Sequence, residues 1–299
     1  MLSYRHSFHA GNAADVLKHM VFAWCAGYLT KKEKPLLCVD THAGAGLYKL
    51  GGQNREWEGG FGRLKAAASG GRRIPAMAAF YLELAAASEG LYPGSPVIAA
   101  KLLRPRDRLV CFELHPADYE LLKENLERLK LPGSGKGAPG IESLKADGPA
   151  SLKSLLPPPS RRGLILVDPS WEEKNEFQTI PAALAEALRR FPQGTYIIWY
   201  PLLLMPKDTI KDAPEAEHSE TLPETLLKLF PAGNCCIEFH TAPRSSAAFF
   251  PHTGTSPRGM YGSGLVVYNP PWTLKAALEE ALPFLAEVLG SGDWRLEWK

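Results

Sequence analysis

The chain has 299 residues, 45% of them hydrophobic, enough for one large or two modest domains with a sizeable core. A formal net charge of +2 excludes a uniformly basic coat, and the absence of an apolar run of about 18 residues excludes a membrane-spanning helix. Five scattered cysteines, with no Cys-x-x-Cys pair and one adjacent pair at Cys235-Cys236, point to a reduced cytoplasmic protein without structural zinc. Met1-Leu2-Ser3-Tyr4-Arg5-His6 lacks the apolar core of a secretory signal.

Residues 12–30 carry an apolar stripe through Val16, Met20, Ala23 and Ala26, which predicts a helix. The first strand falls near 36–40 and runs into Asp40-Thr41-His42-Ala43-Gly44-Ala45-Gly46. The second falls near 108–113 and ends at Glu113. In a nucleotide-binding unit the acidic end of strand two follows the glycine turn by about 20 residues. Glu113 lies far beyond that, so residues 50–92 are expected to form a helical insertion between strands one and two, with Gly51, Gly52, Gly59 and Gly60 at its start. Further strands are predicted near 142–147, 163–168, 194–200, 235–240 and 264–268. Helical patterns occupy 116–130, 178–190, 221–230 and 273–289. Alternation of this kind predicts an α/β fold with a parallel sheet covered on both faces. Gly133-Ser134-Gly135-Lys136-Gly137 and Pro157-Pro158-Pro159 are loop punctuation.

The turn after strand one holds only Gly44-x-Gly46, with Lys49 where a dinucleotide fingerprint has its third glycine. That favours a nucleoside without phosphate over a pyrophosphate. Glu113 at the end of strand two suits both ribose hydroxyls, and Asp147-Gly148 at the end of strand three suits an adenine amine. With Asp40, these place carboxylates along one sheet edge, where they attract a cation such as a sulfonium.

Asp168-Pro169-Ser170-Trp171 follows Leu164-Ile165-Leu166-Val167 and supplies the chemistry. An amine conjugated to a ring is a poor nucleophile until both N–H groups are engaged. The Asp168 carboxylate and Pro169 carbonyl are the natural acceptors, Asp168 then takes the proton lost, and Trp171 stacks on the base. Asn269-Pro270-Pro271-Trp272 is the better match as text. It follows the last strand, which in sheets of this kind runs antiparallel, so it is expected away from the cofactor edge, at a helix start. Tyr4, His6, His9, Lys18 and His19 form a polar rim before and within the first helix, and no recognisable zinc-ligand spacing completes them. His42, inside the glycine turn, is expected to touch the cofactor. The basic clusters Lys101, Arg104, Arg106, Arg108 and Arg55, Arg63, Lys65, Arg72, Arg73 fit a solvated face and a nucleic-acid patch equally well.

The pattern resembles the RlmJ family of enzymes that methylate N6 of an adenine in 23S ribosomal RNA. The likeness spans nearly the whole chain. It is carried by Tyr4 to His19, Asp40 to Gly46, Tyr92-Pro93-Gly94-Ser95-Pro96, Phe112 to Pro116 and Gly262-Ser263-Gly264. The resemblance implies a Rossmann-like class I methyltransferase domain over 1–299, with a seven-stranded, mostly parallel sheet and an N-terminal binding motif and helix over 1–34. It implies S-adenosylmethionine as cofactor and large-subunit ribosomal RNA as partner; from the chain itself a monomer without a metal site is expected. His19, His42, Ser95, Glu113, Asp147, Gly148 and Asp168 would contact the cofactor, Asp168 would be catalytic, Tyr4 would touch RNA, and His6 and Lys18 would face the substrate. The family pattern Asp-Pro-Pro-aromatic is broken by Ser170, which bears on loop stiffness and so on activity. Alternatives at this stage are an amine methyltransferase acting on DNA adenine or protein glutamine, and a catalytically weak RNA-binding protein.

Overall fold

The computed structural model describes residues 6–52, 55–86, 90–129, 140–171, 173, 175–204, 214–230, 232–242, 259–290 and 293–299. After a short 3-10 turn at His6–Phe8, the first α-helix, α1 (Ala13–Leu29), is capped by Asn12, whose side-chain oxygen accepts from the Asp15 backbone N–H at 2.9 Å. It is followed by β1 (Leu37–Asp40), β2 (Leu47–Tyr48), a tight helical turn over Glu58–Gly62, α2 (Arg63–Ser69), α3 (Ala76–Ala86) and β3 (Tyr92–Pro93). Then come α4 (Ser95–Leu102), β4 (Arg108–Phe112), α5 (Pro116–Leu129), β5 (Gly140–Leu144), α6 (Gly148–Leu155), β6 (Gly163–Val167) and α7 (Glu176–Arg190). The chain closes with β7 (Thr195–Leu204), α8 (Pro214–Leu229), β8 (Asn234–His240), β9 (Gly259–Tyr268), α9 (Leu274–Leu289) and β10 (Trp294–Trp298).

Eight strands form the main sheet, in the order β10-β8-β9-β7-β6-β1-β4-β5, against the seven expected from sequence. The extra strand is β10, an antiparallel edge on β8 with Trp294 opposite Phe239. β1 pairs in parallel with both β4 and β6, while β9 runs antiparallel to β7 and β8. β2 and β3 form a separate two-stranded ribbon that brackets the 50–92 segment. Leu164 and Leu166 of β6 join the core on one sheet face, and Ile165 and Val167 join the core on the other. Both faces are therefore buried at the sheet centre, which is why β1, β4 and β6 are nearly continuous apolar runs, while the parallel edge strand β5 is largely exposed. Each fully buried aliphatic side chain here contributes about 1.5–3 kcal/mol.

Two helices found here escaped the sequence reading, α4 and α6. Each is only 8 residues long and opens with a proline in its first turn, so neither has room for a visible apolar period. No helix among the described residues is long and apolar enough to cross a membrane.

The turn at Glu58–Gly62 presses on the backbone leading into α1. Phe61 N–H donates to the Gly11 carbonyl at 2.8 Å. A Cβ on Gly60 would collide with the Gly11 carbonyl and with the Asn12 and Ala13 backbone. Gly60→Ala is therefore expected to destabilise the protein by about 1–3 kcal/mol, read as a lower urea midpoint at unchanged slope. An unchanged midpoint would show that the turn and the α1 entry do not pack this tightly.

Candidate active site

The C-terminal ends of β1, β4 and β6 share one edge of the sheet, and the N-terminal part of α1 reaches that edge, where Lys18 meets Asp168. Between them lies a cavity of about 1490 Å³. Ligands of open α/β sheets bind at such an edge, where the loops diverge.

The glycine turn shapes one wall. Gly44 and Gly46 sit at φ +57° and +78°, conformations that favour glycine. The Tyr48 hydroxyl fills the space beneath Gly44 and accepts from Ala45 N–H at 3.0 Å. Glu113, just after β4, accepts from Gly44 N–H at 2.8 Å and from His115 N–H at 2.7 Å. Burial pushes its carboxyl up, and these backbone hydrogen bonds only partly offset that. Asp147 sits beyond the end of β5, which stops at Leu144, and caps α6 by accepting from Ala150 N–H at 2.9 Å. Gly148 lies so close to Thr41 that a Cβ would meet its backbone.

The other wall is built by α1. Asp15, Lys18 and His19 are each less than 5% exposed, on a single helix face. Lys18 Nζ donates to Asp15 Oδ1 at 2.8 Å and to Asp168 Oδ2 at 2.5 Å. Asp15 Oδ2 also takes Gly11 N–H at 2.9 Å and lies 2.9 Å from His6 Nε2. Burial opposes charge on Lys18, yet the two carboxylates win and raise its pKa. Burial pushes Asp15 up as well, but His6, Lys18 and His19 hold it well below the usual carboxylate range. Asp168 moves the other way, because burial outweighs the pull of Lys18. Asp40 is fully buried, its Oδ2 has no partner among the described residues, and burial raises its pKa to about 7 against a Ser95 hydrogen bond. His19 and His42 are both lowered to about 3, by burial first and also by the Lys18 charge, with Asp15 opposing the shift at His19.

Pro169, Ser170 and Trp171 continue from Asp168 along the cavity. Trp171 holds φ +56°, an uncommon conformation for a bulky residue. Its indole N–H donates to the Trp199 carbonyl at 3.0 Å, and its ring lies 5.1 Å from that of Phe177. Only 3% of Trp171 is exposed, so its ring meets the cavity over a small area.

One cavity thus gathers His6, Lys18, His19, His42, Gly44, Ser95, Glu113, Asp147, Gly148, Asp168, Pro169 and Trp171. Gly46 is not part of its wall; its carbonyl accepts from Gly94 N–H at 2.8 Å and so braces the turn from behind. Tyr4 lies outside the described residues. Asn269 sits at the opposite sheet edge, where its carbonyl accepts from Thr195 Oγ1 at 2.9 Å at the start of β7. Sequence reasoning gave no role to Asp15, Thr41, Tyr48, Glu56 or Trp199, which also line the cavity. For Asp15 a signal existed: Asp15, Lys18 and His19 repeat at i, i+3 and i+4 within an otherwise apolar helix.

The residues present suit a cationic nucleoside. The glycine cradle has no room for side chains at Gly44, and Glu113 and Asp147 lie on the same cavity wall. Strand order, the antiparallel β9 and a cavity at the β1 turn together define a class I methyltransferase fold. The family model described as Ribosomal RNA large subunit methyltransferase D, RlmJ matches residues 33–236 and 237–299. The chain belongs to this family. The Ribosomal RNA large subunit methyltransferase J of Escherichia coli (strain K12) is 38% identical over 306 residues, covering 100% of this chain and 99% of the relative. That of Haemophilus influenzae is 39% identical over 309 residues, covering 100% and 99%. A crystal structure of a Legionella pneumophila protein superposes with a TM-score of 0.79 at 32% identity, over 97% of this chain and 98% of that one.

Burial sets the charge state of the two histidines. A folded-state pKa near 3 lies below the ordinary 6.5, so the imidazoles of His19 and His42 are expected to stay neutral from pH 8 down to about pH 4. Imidazole ¹⁵N shifts recorded across that range would check this, and a titration near 6.5 at either ring would show its surroundings to be wet.

Proposed function

We propose that the protein transfers a methyl group from S-adenosylmethionine to N6 of an adenine in 23S ribosomal RNA. The observation that carries this reading is Asp168-Pro169 at the tip of β6, opening into the same cavity as the glycine turn of β1. Family membership and the names of the two relatives, both large-subunit ribosomal RNA methyltransferases, support the substrate.

The cofactor, when bound, supplies an electrophilic methyl group on a sulfonium. Glu113 would hold the ribose and Asp147-Gly148 the adenine, while His19, His42 and Ser95 line the remainder. Lys18 engages Asp168 Oδ2, so Oδ1 is the oxygen left to accept one N–H of the target amine. The Pro169 carbonyl accepts the other. Engaged at both hydrogens, the nitrogen turns its lone pair toward the methyl group. Burial has already raised the Asp168 pKa, which suits that carboxylate to take the proton released. Lys18 keeps Asp168 oriented throughout. Trp171 walls the base side of the pocket, and Arg55 and Arg63 of the 50–92 segment line the cavity where a phosphate backbone would pass. A serine at position 170 leaves both amine acceptors in place, since neither belongs to that residue.

Incubation with unmodified 23S ribosomal RNA and isotope-labelled S-adenosylmethionine is expected to yield labelled N6-methyladenosine after digestion to nucleosides. Asp168→Ala should lower the rate by at least about 100-fold. Full activity in that variant would remove Asp168 from the chemistry, and label on another nucleoside would overturn the N6 assignment.

A further inference from the structure

β10 closes one end of the main sheet, and among the described residues no strand pairs with its outer side. Its inner side is fixed by the ladder to β8. Lys299 and Asn234 exchange hydrogen bonds at 3.0 and 3.1 Å, and His240 N–H donates to the Asp293 carbonyl at 3.0 Å. In an antiparallel ladder every second residue bonds in this way, so the backbone groups of Arg295 and Glu297 also face β8. Those of Trp294, Leu296 and Trp298 point out of the sheet. An open edge of this kind is a template for another strand. Its side chains are accessible on both faces: Trp294 is 38% exposed on one, and Arg295 and Glu297 are 58% and 38% exposed on the other.

Asp293-Trp294-Arg295-Leu296-Glu297-Trp298-Lys299 is its own complement when read in reverse. A second copy, turned about a two-fold axis through Leu296, runs antiparallel to the first. Leu296 then lies opposite Leu296, Trp294 opposite Trp298, Arg295 opposite Glu297 and Asp293 opposite Lys299. The backbone agrees with this register. Outward-facing residues meet outward-facing residues, and each such pair can exchange both of its N–H···O bonds. The charged pairs fall at the other positions, where opposed Cα atoms are only about 4.5 Å apart. A slip of one residue sets outward groups against inward ones. A slip of two sets Arg295 on Arg295 and Glu297 on Asp293, or Glu297 on Glu297 and Arg295 on Lys299. Charges on an edge strand ordinarily discourage pairing; here they penalise the neighbouring registers and leave the central one matched. β5, at the sheet's other end, carries one acid and no base, so it has no such self-match.

We propose that β10 is a dimer interface, through which two copies of the chain pair edge to edge about a two-fold axis and join their sheets into one. The surface is isologous, so both copies contribute the same residues. β10 lies four places from β6 in the sheet, roughly 19 Å at about 4.8 Å per strand, so both cavities stay open. So short a strand pair buries less than the roughly 1,200 Å² of a standard stable interface, which sets the expected Kd at about 10–100 µM. The monomer expected from the sequence is thereby replaced by a weak dimer.

Sedimentation equilibrium of the full-length protein from about 5 to 500 µM should show a monomer–dimer equilibrium. Arg295→Glu and Glu297→Arg each set like charges opposite one another on both sides of the axis. Each variant alone should weaken dimerisation by at least about tenfold. An equimolar mixture of the two restores opposite charges at both places. It should return dimerisation to within about threefold of the wild type, which also shows that both variants fold. In hydrogen exchange, the Arg295 and Glu297 amides should be slow at every concentration, and those of Trp294, Leu296 and Trp298 only where the dimer forms. A wild-type protein that stays monomeric, a dimer that neither variant weakens, or a mixture that does not restore it would overturn the proposal. So would protection of the outward amides that arises only when 23S ribosomal RNA is added, because the edge would then have a different occupant.

Discussion

The site depends on one buried ammonium. Lys18 bridges Asp15 on its own helix and Asp168 at the end of β6, so a single side chain joins α1 to the sheet. Desolvating each of these charges costs several kcal/mol, and the attraction repays it only with good geometry and further hydrogen bonds. Those further bonds are present: Gly11 N–H and His6 hold Asp15, and Asn12 fixes the first turn on which it sits. The network also settles the charge of its neighbours. Three buried carboxyls, Asp15, Asp40 and Asp168, stand near one lysine. Asp15 is held ionised, Asp168 is pushed up only in part, and Asp40, with no direct cation, is raised to about 7. A different placement of α1 would leave Asp168 without its lysine partner.

The entry to α1 and the end of β1 are each fixed by a backbone contact close enough to exclude a side chain. Gly60 meets the entry to α1, and Gly148 meets Thr41 at the end of β1. Both contacts join chain segments far apart in sequence, and both border the cavity. Tyr81 on α3 and Tyr92 on β3 extend the polar network from the 50–92 segment to His19. The segment is thus coupled to the site by hydrogen bonds as well as by packing.

Much of this was legible in the sequence, and the gaps have physical reasons. The buried strands stood out because both sheet faces are covered and their residues are uniformly apolar. β10 did not: Trp294-Arg295-Leu296-Glu297-Trp298 alternates polar with apolar and lies at an edge, where one face stays wet. Asp147 was legible as an acid near a strand end, but its local role is a helix cap, which Asp147-Gly148-Pro149 would have signalled. The cavity edge was legible from acids that follow strands, Glu113, Asp147 and Asp168. The acid on α1 was not, because a helix interior hides a charged pair until a distant strand arrives to share it. Strand direction, inferred from the fold class, correctly sent Asn269-Pro270-Pro271-Trp272 to the far edge.

The loop after β6 shows why a broken motif need not mean a broken site. A second proline would fix its own φ and restrict Pro169 before it. Ser170 gives up both constraints. Trp171, the next residue, sits at φ +56°, a conformation that persists only where its surroundings impose it. They do: the indole is buried, packed on Phe177, and tied to the Trp199 carbonyl of β7. Asp168 is tied at the loop's other end by Lys18. Pro169 and Ser170 therefore span two fixed points, one on α1 and one on β7. The stiffness that the family pattern places within the loop is supplied here by its anchors, and Asp168 and Pro169 keep their positions through tertiary contacts instead of local ring constraint.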